Sequence, residues 1–160
     1  MEIFHRFASF INTISNHFNH NKKTIMETAT MTAQETVKAL YDAFGKGNIP
    51  FILDHVSDKI TWHDPCDPSI VPFGGTHKNK QGFLEFFQQL GGSTDTTLFE
   101  ANEFISEDNK VVATGRHGFR CKKTGKEAIL DWAMVWHFEN DEPVSGRSYY
   151  NNAEAEKAFM

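Results

Sequence analysis

The spacing of apolar positions changes once along this chain, near residue 95. Before that point apolar residues recur mostly every three or four positions, and after it every second one. Val37, Leu40, Tyr41 and Phe44 fall on one face of a helix. Thr32 and Glu35 form the pattern that caps a helix start, and Gly45-Lys46-Gly47-Asn48 ends it. Residues 49–56 predict a short second helix with Ile52, Leu53 and Val56 inward. Residues 59–64 predict a strand, stopped by Pro65. Residues 77–90 predict a third helix, with Phe83, Phe86, Phe87 and Leu90 on one side and Gly91-Gly92-Ser93 at its end.

From there the period is two. Residues 96–106, 110–121, 127–138 and 144–150 predict four strands joined by short polar turns, hence antiparallel neighbours. Residues 153–159 predict a final helical turn. Helices followed by a curved antiparallel sheet define an α+β layout, with the helices covering one concave face.

Alternation assigns side chains to faces. Trp62 and Asp64 share a face on the first strand. His117 and Phe119 fall with Val111 and Ala113 on the third, and Trp132, Met134 and Trp136 with Leu130 on the fourth. Ser148 and Tyr150 share a face on the last. These mostly apolar sets predict a cavity walled by aromatics, with Asp64 and His117 inside it. Tyr41, Phe44 and Phe86 face it from the helices. An acid at the mouth of a strand, beside the loop containing Pro72-Phe73-Gly74-Gly75, is a common way to present a general base to a small ligand. Desolvation raises the proton affinity of such a carboxylate, and histidine exchanges protons near neutral pH. Each residue has a plainer reading. Asp64 opens an Asp-Pro turn, and His117 is a hydrogen-bonded core histidine.

Bulk properties narrow the field. The chain has 160 residues, a size suited to one main domain, and its 15 Phe leave aromatics to line a cavity as well as fill a core. The net charge of −5 and the scattered basic residues argue against nucleic acid as a partner. Cys66 and Cys121 have no zinc spacing and read as free thiols of a reducing, cytoplasmic compartment. His63, Asp131 and His137 form no metal-ligand pattern, and neither a metal nor an organic cofactor is expected. Asp131 and Arg147 suggest a salt bridge or subunit contacts on the outer face. No apolar window is long enough to span a membrane.

Residues 1–30 differ in composition. Ile3, Phe7, Phe10 or Ile11, Ile14 and Phe18 form one apolar stripe. The segment reads as an extension to a domain at 31–160, either an amphipathic helix (packing on the domain, a partner subunit or a membrane surface) or a disordered leader.

The order of elements, Trp62-His63-Asp64-Pro65, Gly74-Gly75-Thr76-His77, and Val135-Trp136-His137-Phe138 leading to Arg147-Ser148-Tyr149-Tyr150-Asn151 resemble the NTF2-like superfamily. Within it, SnoaL-like and ketosteroid-isomerase-like proteins are most similar. The resemblance covers residues 32–158 and implies a cone-shaped barrel and a homodimer. It places Asp64 where the isomerases hold their general-base aspartate. Their second, neutral carboxylate falls at Met134 and their tyrosine near Phe44, one turn from Tyr41. The expectation is a cofactor-independent acid–base enzyme of isomerase, cyclase or dehydratase type, acting on a small hydrophobic or aromatic molecule. Asp64 would be the base and His117 its partner. The alternative is a non-catalytic ligand-binding or dimeric structural module of the same fold.

Overall fold

The computed structural model describes residues 31–160. The stripe of residues 1–30 lies outside the described residues. Helix α1 (Ala33–Gly45) starts on a complete capping box: Thr32 Oγ1 accepts from the Glu35 amide at 3.2 Å, and the Glu35 carboxylate accepts from the Thr32 amide at 2.8 Å. Helix α2 (Ile49–Asp54) is capped by Asn48 and carries Pro50 in its first turn, where no amide is needed. Val37, Leu40, Ile52 and Leu53 are all buried.

Strand β1 (Thr61–Asp64) follows, then β2 (Gly75–Lys78). β2 corrects the reading of residues 77–90 as one helix. Thr76, His77 and Lys78 pair antiparallel with β1, and Asn79 at φ 60° turns the chain into helix α3 (Asn79–Ser93). The Asn79 side chain accepts from the Gly82 amide at 3.0 Å, closing the helix start. At the other end α3 runs through Gly91 and Gly92 to Ser93, beyond the expected stop.

Strands β3 (Thr94–Glu107), β4 (Lys110–Cys121), β5 (Glu127–Glu139) and β6 (Glu142–Tyr149) form an antiparallel meander. Asn140 and Asp141, both at positive φ, make the tight β5–β6 turn. The strand order is β2-β1-β6-β5-β4-β3, an open sheet with β2 and β3 at its edges. One pairing departs from the antiparallel rule: β1 lies parallel to β6, with Trp62 opposite Gly146. Irregularities in β3 at Thr96/Leu98 and Ala101/Glu103 are the kind that bend a strand. Helices α1 and α3 pack against the inner face, where Val111, Ala113, Trp132 and Trp136 are buried, and α2 packs on both helices.

Helix α4 (Asn152–Phe159) crosses the end of the sheet. Thr124 donates to the Ala158 carbonyl, and Glu156 accepts from the Asp67 amide at 3.0 Å. Phe159 packs on Phe73 and Phe119. On the outer face Asp131 pairs with Arg116 across β4–β5 at 3.4 Å, and Arg147 stacks on Tyr149, so the expected Asp131–Arg147 bridge is not made. Both cysteines are buried and unbridged. No helix among the described residues is long and apolar enough to cross a membrane.

Candidate functional site

Between the helices and the inner face of the sheet lies a cavity of about 80 Å³. Trp62, Phe86, Phe119, Trp132, Met134 and Trp136 wall it, and Tyr41, Phe44, Ser148 and Tyr150 also border it. Asp64 and His117 both reach it, and among the described residues no lysine or arginine lines it. Strand parity brings these side chains together, because β1, β4, β5 and β6 each present alternate residues inward.

Asp64 ends β1, opposite Gly75 of β2, and is 3% exposed. Its Oδ1 accepts from the Cys66 amide at 3.1 Å, and the Tyr150 hydroxyl lies 2.8 Å from both Oδ1 and Oδ2. The Cys66 thiol is 3.3 Å from the same hydroxyl. Burial raises the Asp64 carboxyl above its ordinary value, and the bonds from Tyr150 and Cys66 offset only part of that rise. Burial also pushes the Tyr150 phenol up, and the adjacent Asp64 charge adds to this. It pushes the Cys66 thiol up to about 12, so the thiol stays protonated at neutral pH.

His117 sits on β4 opposite Phe99 of β3, between the rings of Phe99 and Phe119. Its Nε2 is 3.2 Å from Thr96 Oγ1. Burial without a counter-charge lowers it to about 4. The imidazole is therefore neutral at pH 7, contrary to the expectation of proton exchange near neutrality. Among the described residues no hydrogen bond joins Asp64 and His117. They share the cavity, but each has its own partners.

Tyr41 is already engaged. Its oxygen accepts from Trp136 Nε1 at 2.8 Å, and its hydroxyl faces Met134 Sδ at 3.2 Å. Ser148, 2% exposed, stands opposite Met134 on the neighbouring strand. The other two indoles, of Trp62 and Trp132, are buried with no hydrogen-bond partner for Nε1 among the described residues. His63 turns away from the cavity and meets Thr76 at 2.8 Å. Among the described residues no group of three or more His, Cys, Asp or Glu is placed to hold a metal ion.

Sequence reasoning missed Phe99, because the irregularities in β3 break the alternation that would have placed it in the wall. It missed Cys66 as a partner of Asp64, although an Asp side chain accepting from the amide two residues on is a recurrent turn contact and was there to be read. It missed Phe73, whose loop has no period, and Ala155, which α4 brings to the cavity.

The model of the SnoaL-like domain matches residues 37–145, and the chain belongs to that family. Among known proteins, Patulin synthesis protein F of Aspergillus clavatus is 28% identical over 87 residues, 53% of this chain and 44% of that protein. The chain spans less than half the length of the curated relatives it matches. An NTF2-like protein from Burkholderia pseudomallei superposes with a TM-score of 0.73 at 23% identity, covering 81% of this chain and 99% of that one. TerC, co-crystallised with polyporic acid, gives 0.69 at 21% identity, covering 79% and 97%. These structural likenesses establish the NTF2-like fold.

Proposed function

We propose that the protein is a cofactor-independent acid–base enzyme acting on a small, uncharged, aromatic or apolar molecule by isomerisation, cyclisation or dehydration. One observation carries this reading. Asp64 is a buried carboxylate in a mostly apolar cavity, and among the described residues its Oδ2 has only Tyr150 as a partner. Oδ1, held by both Cys66 and Tyr150, anchors the group, and Oδ2, which among the described residues shares only the Tyr150 proton, is the oxygen better placed to take a proton from a bound molecule. A raised proton affinity suits a base that must later return that proton. His117, neutral and held by Thr96, serves as a hydrogen-bonding partner to the ligand and carries no charge. Among the described residues lining the cavity an anionic substrate would meet Asp64 and no lysine or arginine, which supports a neutral ligand.

The test is a thermal-shift screen of small aromatic metabolites on the wild type and Asp64→Asn. A compound that stabilises both proteins and is converted only by the wild type supports the reading. A compound bound by both and converted by neither favours a binding module, to which the engaged hydroxyl of Tyr41 already lends support. Absence of any ligand effect refutes both.

Ile129 and Tyr149, 58% and 49% exposed, accompany Ala133 and Val135 on the outer sheet face, which supports a homodimer through that face. Monomeric light scattering would refute it. Two free buried thiols support a reducing compartment such as the cytoplasm.

A further inference from the structure

The ring of His117 is held from one side only. Its Nε2 lies 3.2 Å from Thr96 Oγ1. Strand parity accounts for the contact. Thr96 of β3 stands opposite Phe119 of β4, which shares its face with His117 two residues away. The other ring nitrogen, Nδ1, has no hydrogen-bond partner among the described residues. The unpaired side-chain nitrogens and oxygens that are sealed from contact there are the indole nitrogens of Trp62 and Trp132. Nδ1 is not one of them, so it keeps open surface, and the space that His117 borders is the cavity.

A neutral imidazole carries one N–H and one bare nitrogen. The contact with Thr96 decides which nitrogen has the proton. Two arrangements satisfy it. In the first, Nε2–H donates to Thr96. The hydroxyl proton of Thr96 and the lone pair of Nδ1 are then both left over among the described residues. In the second, the Thr96 hydroxyl donates to Nε2, and only the Nδ1 N–H is left over. Each unpaired polar group keeps its desolvation cost, so folded proteins leave few of them. The second arrangement leaves fewer, and the group it leaves is a donor open to the cavity.

We infer that Thr96 is a positioning residue that fixes His117 as the Nδ1–H tautomer, and that this N–H donates to a carbonyl oxygen of the bound molecule. The inference rests on the acid–base reading above and deepens it by naming the ligand as a neutral aromatic carbonyl compound. A carbonyl oxygen suits the site because it offers lone pairs with no competing proton. Strands β6 and β5 lie between the strand of Asp64 and that of His117, so base and donor approach the molecule from different sides.

The first measurement needs no ligand. Proton–nitrogen NMR of the imidazole rings in the isotopically labelled full chain separates a protonated ring nitrogen from a bare one. The His117 signals are identified by their loss in His117→Gln. The expected result at pH 7 is a protonated Nδ1 and a bare Nε2. Thr96→Val removes the hydroxyl at similar volume and is expected to move the ring toward Nε2–H, while Thr96→Ser keeps Nδ1–H. The tautomer is expected unchanged in Asp64→Asn, so a failure here is told apart from a failure of the base. If a variant fails to fold, the wild-type ring, assigned through its bonds to the β4 backbone, decides alone. The second measurement compares 1-indanone with indane, which share a skeleton and differ by one carbonyl. Wild type is expected to bind 1-indanone about tenfold tighter, the effect of one added buried hydrogen bond, with the Nδ1 signal shifted. Thr96→Val loses this preference and keeps indane binding. An Nε2–H ring in the wild type overturns the role of Thr96. Equal affinity for the two probes with a static Nδ1 signal overturns the donor role and leaves the aromatic cavity reading intact. Failure of both probes to bind overturns the two together.

Discussion

The Tyr150 hydroxyl lies 2.8 Å from each oxygen of Asp64, though the two residues are far apart in sequence. One proton thus bridges a whole carboxylate. The arrangement holds the acid in a single orientation and leaves the charged form with fewer donors than it would have in water. Asp64 is fixed, desolvated and ready to take up a proton, the combination expected of a base.

Tyr150→Phe keeps the ring and deletes that bridge. Among the described residues the buried carboxylate then keeps only Cys66 as a donor. Stability at pH 8 is expected to fall by about 1–3 kcal/mol. The loss is smaller at pH 3.8, below the raised folded value, where Asp64 is mostly protonated and needs the donor less. Urea unfolding at the two pH values checks it, and an equal loss at both would contradict the bridge.

Asp64→Asn removes a titration. The carboxyl is raised above its ordinary value of 3.8 in the folded protein. The folded state therefore holds the proton longer than the unfolded one, and stability falls as pH rises from the unfolded to the folded value. Within that window each pH unit costs about 1.4 kcal/mol. Thermal unfolding from pH 4 to 8 is expected to show the variant gaining on the wild type as pH rises. A constant difference would show that Asp64 is not desolvated.

His117 works in the opposite direction. Its folded value, about 4, lies below the ordinary 6.5, so the unfolded state binds the proton first. Stability contributed by the neutral ring is complete above 6.5 and is lost as pH falls toward 4. From pH 6.5 to 5 the loss is about 2 kcal/mol. His117→Gln, which keeps a polar group near Thr96, is expected to flatten this acid limb in urea titrations. An unchanged limb would place the imidazole in water.

Gly146→Ala tests the support of the tryptophan wall. A methyl there would sit 2.5 Å from Trp62 Cζ3 and 3.1 Å from Trp136 Cε3. Overpacking of this kind costs about 1–3 kcal/mol. The melting temperature is expected to drop, with a change in tryptophan fluorescence as Trp62 shifts. An unaltered spectrum and melting curve would mean that the wall yields freely.

Side-chain parity was legible because it is local. Placing Trp62 with Asp64, or Trp132 with Met134 and Trp136, needs only the period of a strand. The parallel seam between β1 and β6 was not, because nothing within either segment states which strand lies beside it. Strand β2 was hidden for a related reason. Gly74-Gly75 reads as a turn, and only pairing with β1 makes the next residues a strand. The grip of Tyr150 on Asp64 also depends on that seam. The neutral state of His117 was out of reach because it is set by what covers the ring, here Phe99 and Phe119, and not by its neighbours along β4.

The parallel seam also sets a timetable for assembly. The meander from β3 to β6 closes through short hairpins, but Trp62 must find Gly146 across roughly eighty residues of chain, a slower and entropically costlier closure. The strand carrying Asp64 is thus expected to dock late and to open early. Amide hydrogen exchange faster in β1 than in β4 and β5 would register this, and would mean that the protein can lose its acid while most of the sheet stays folded.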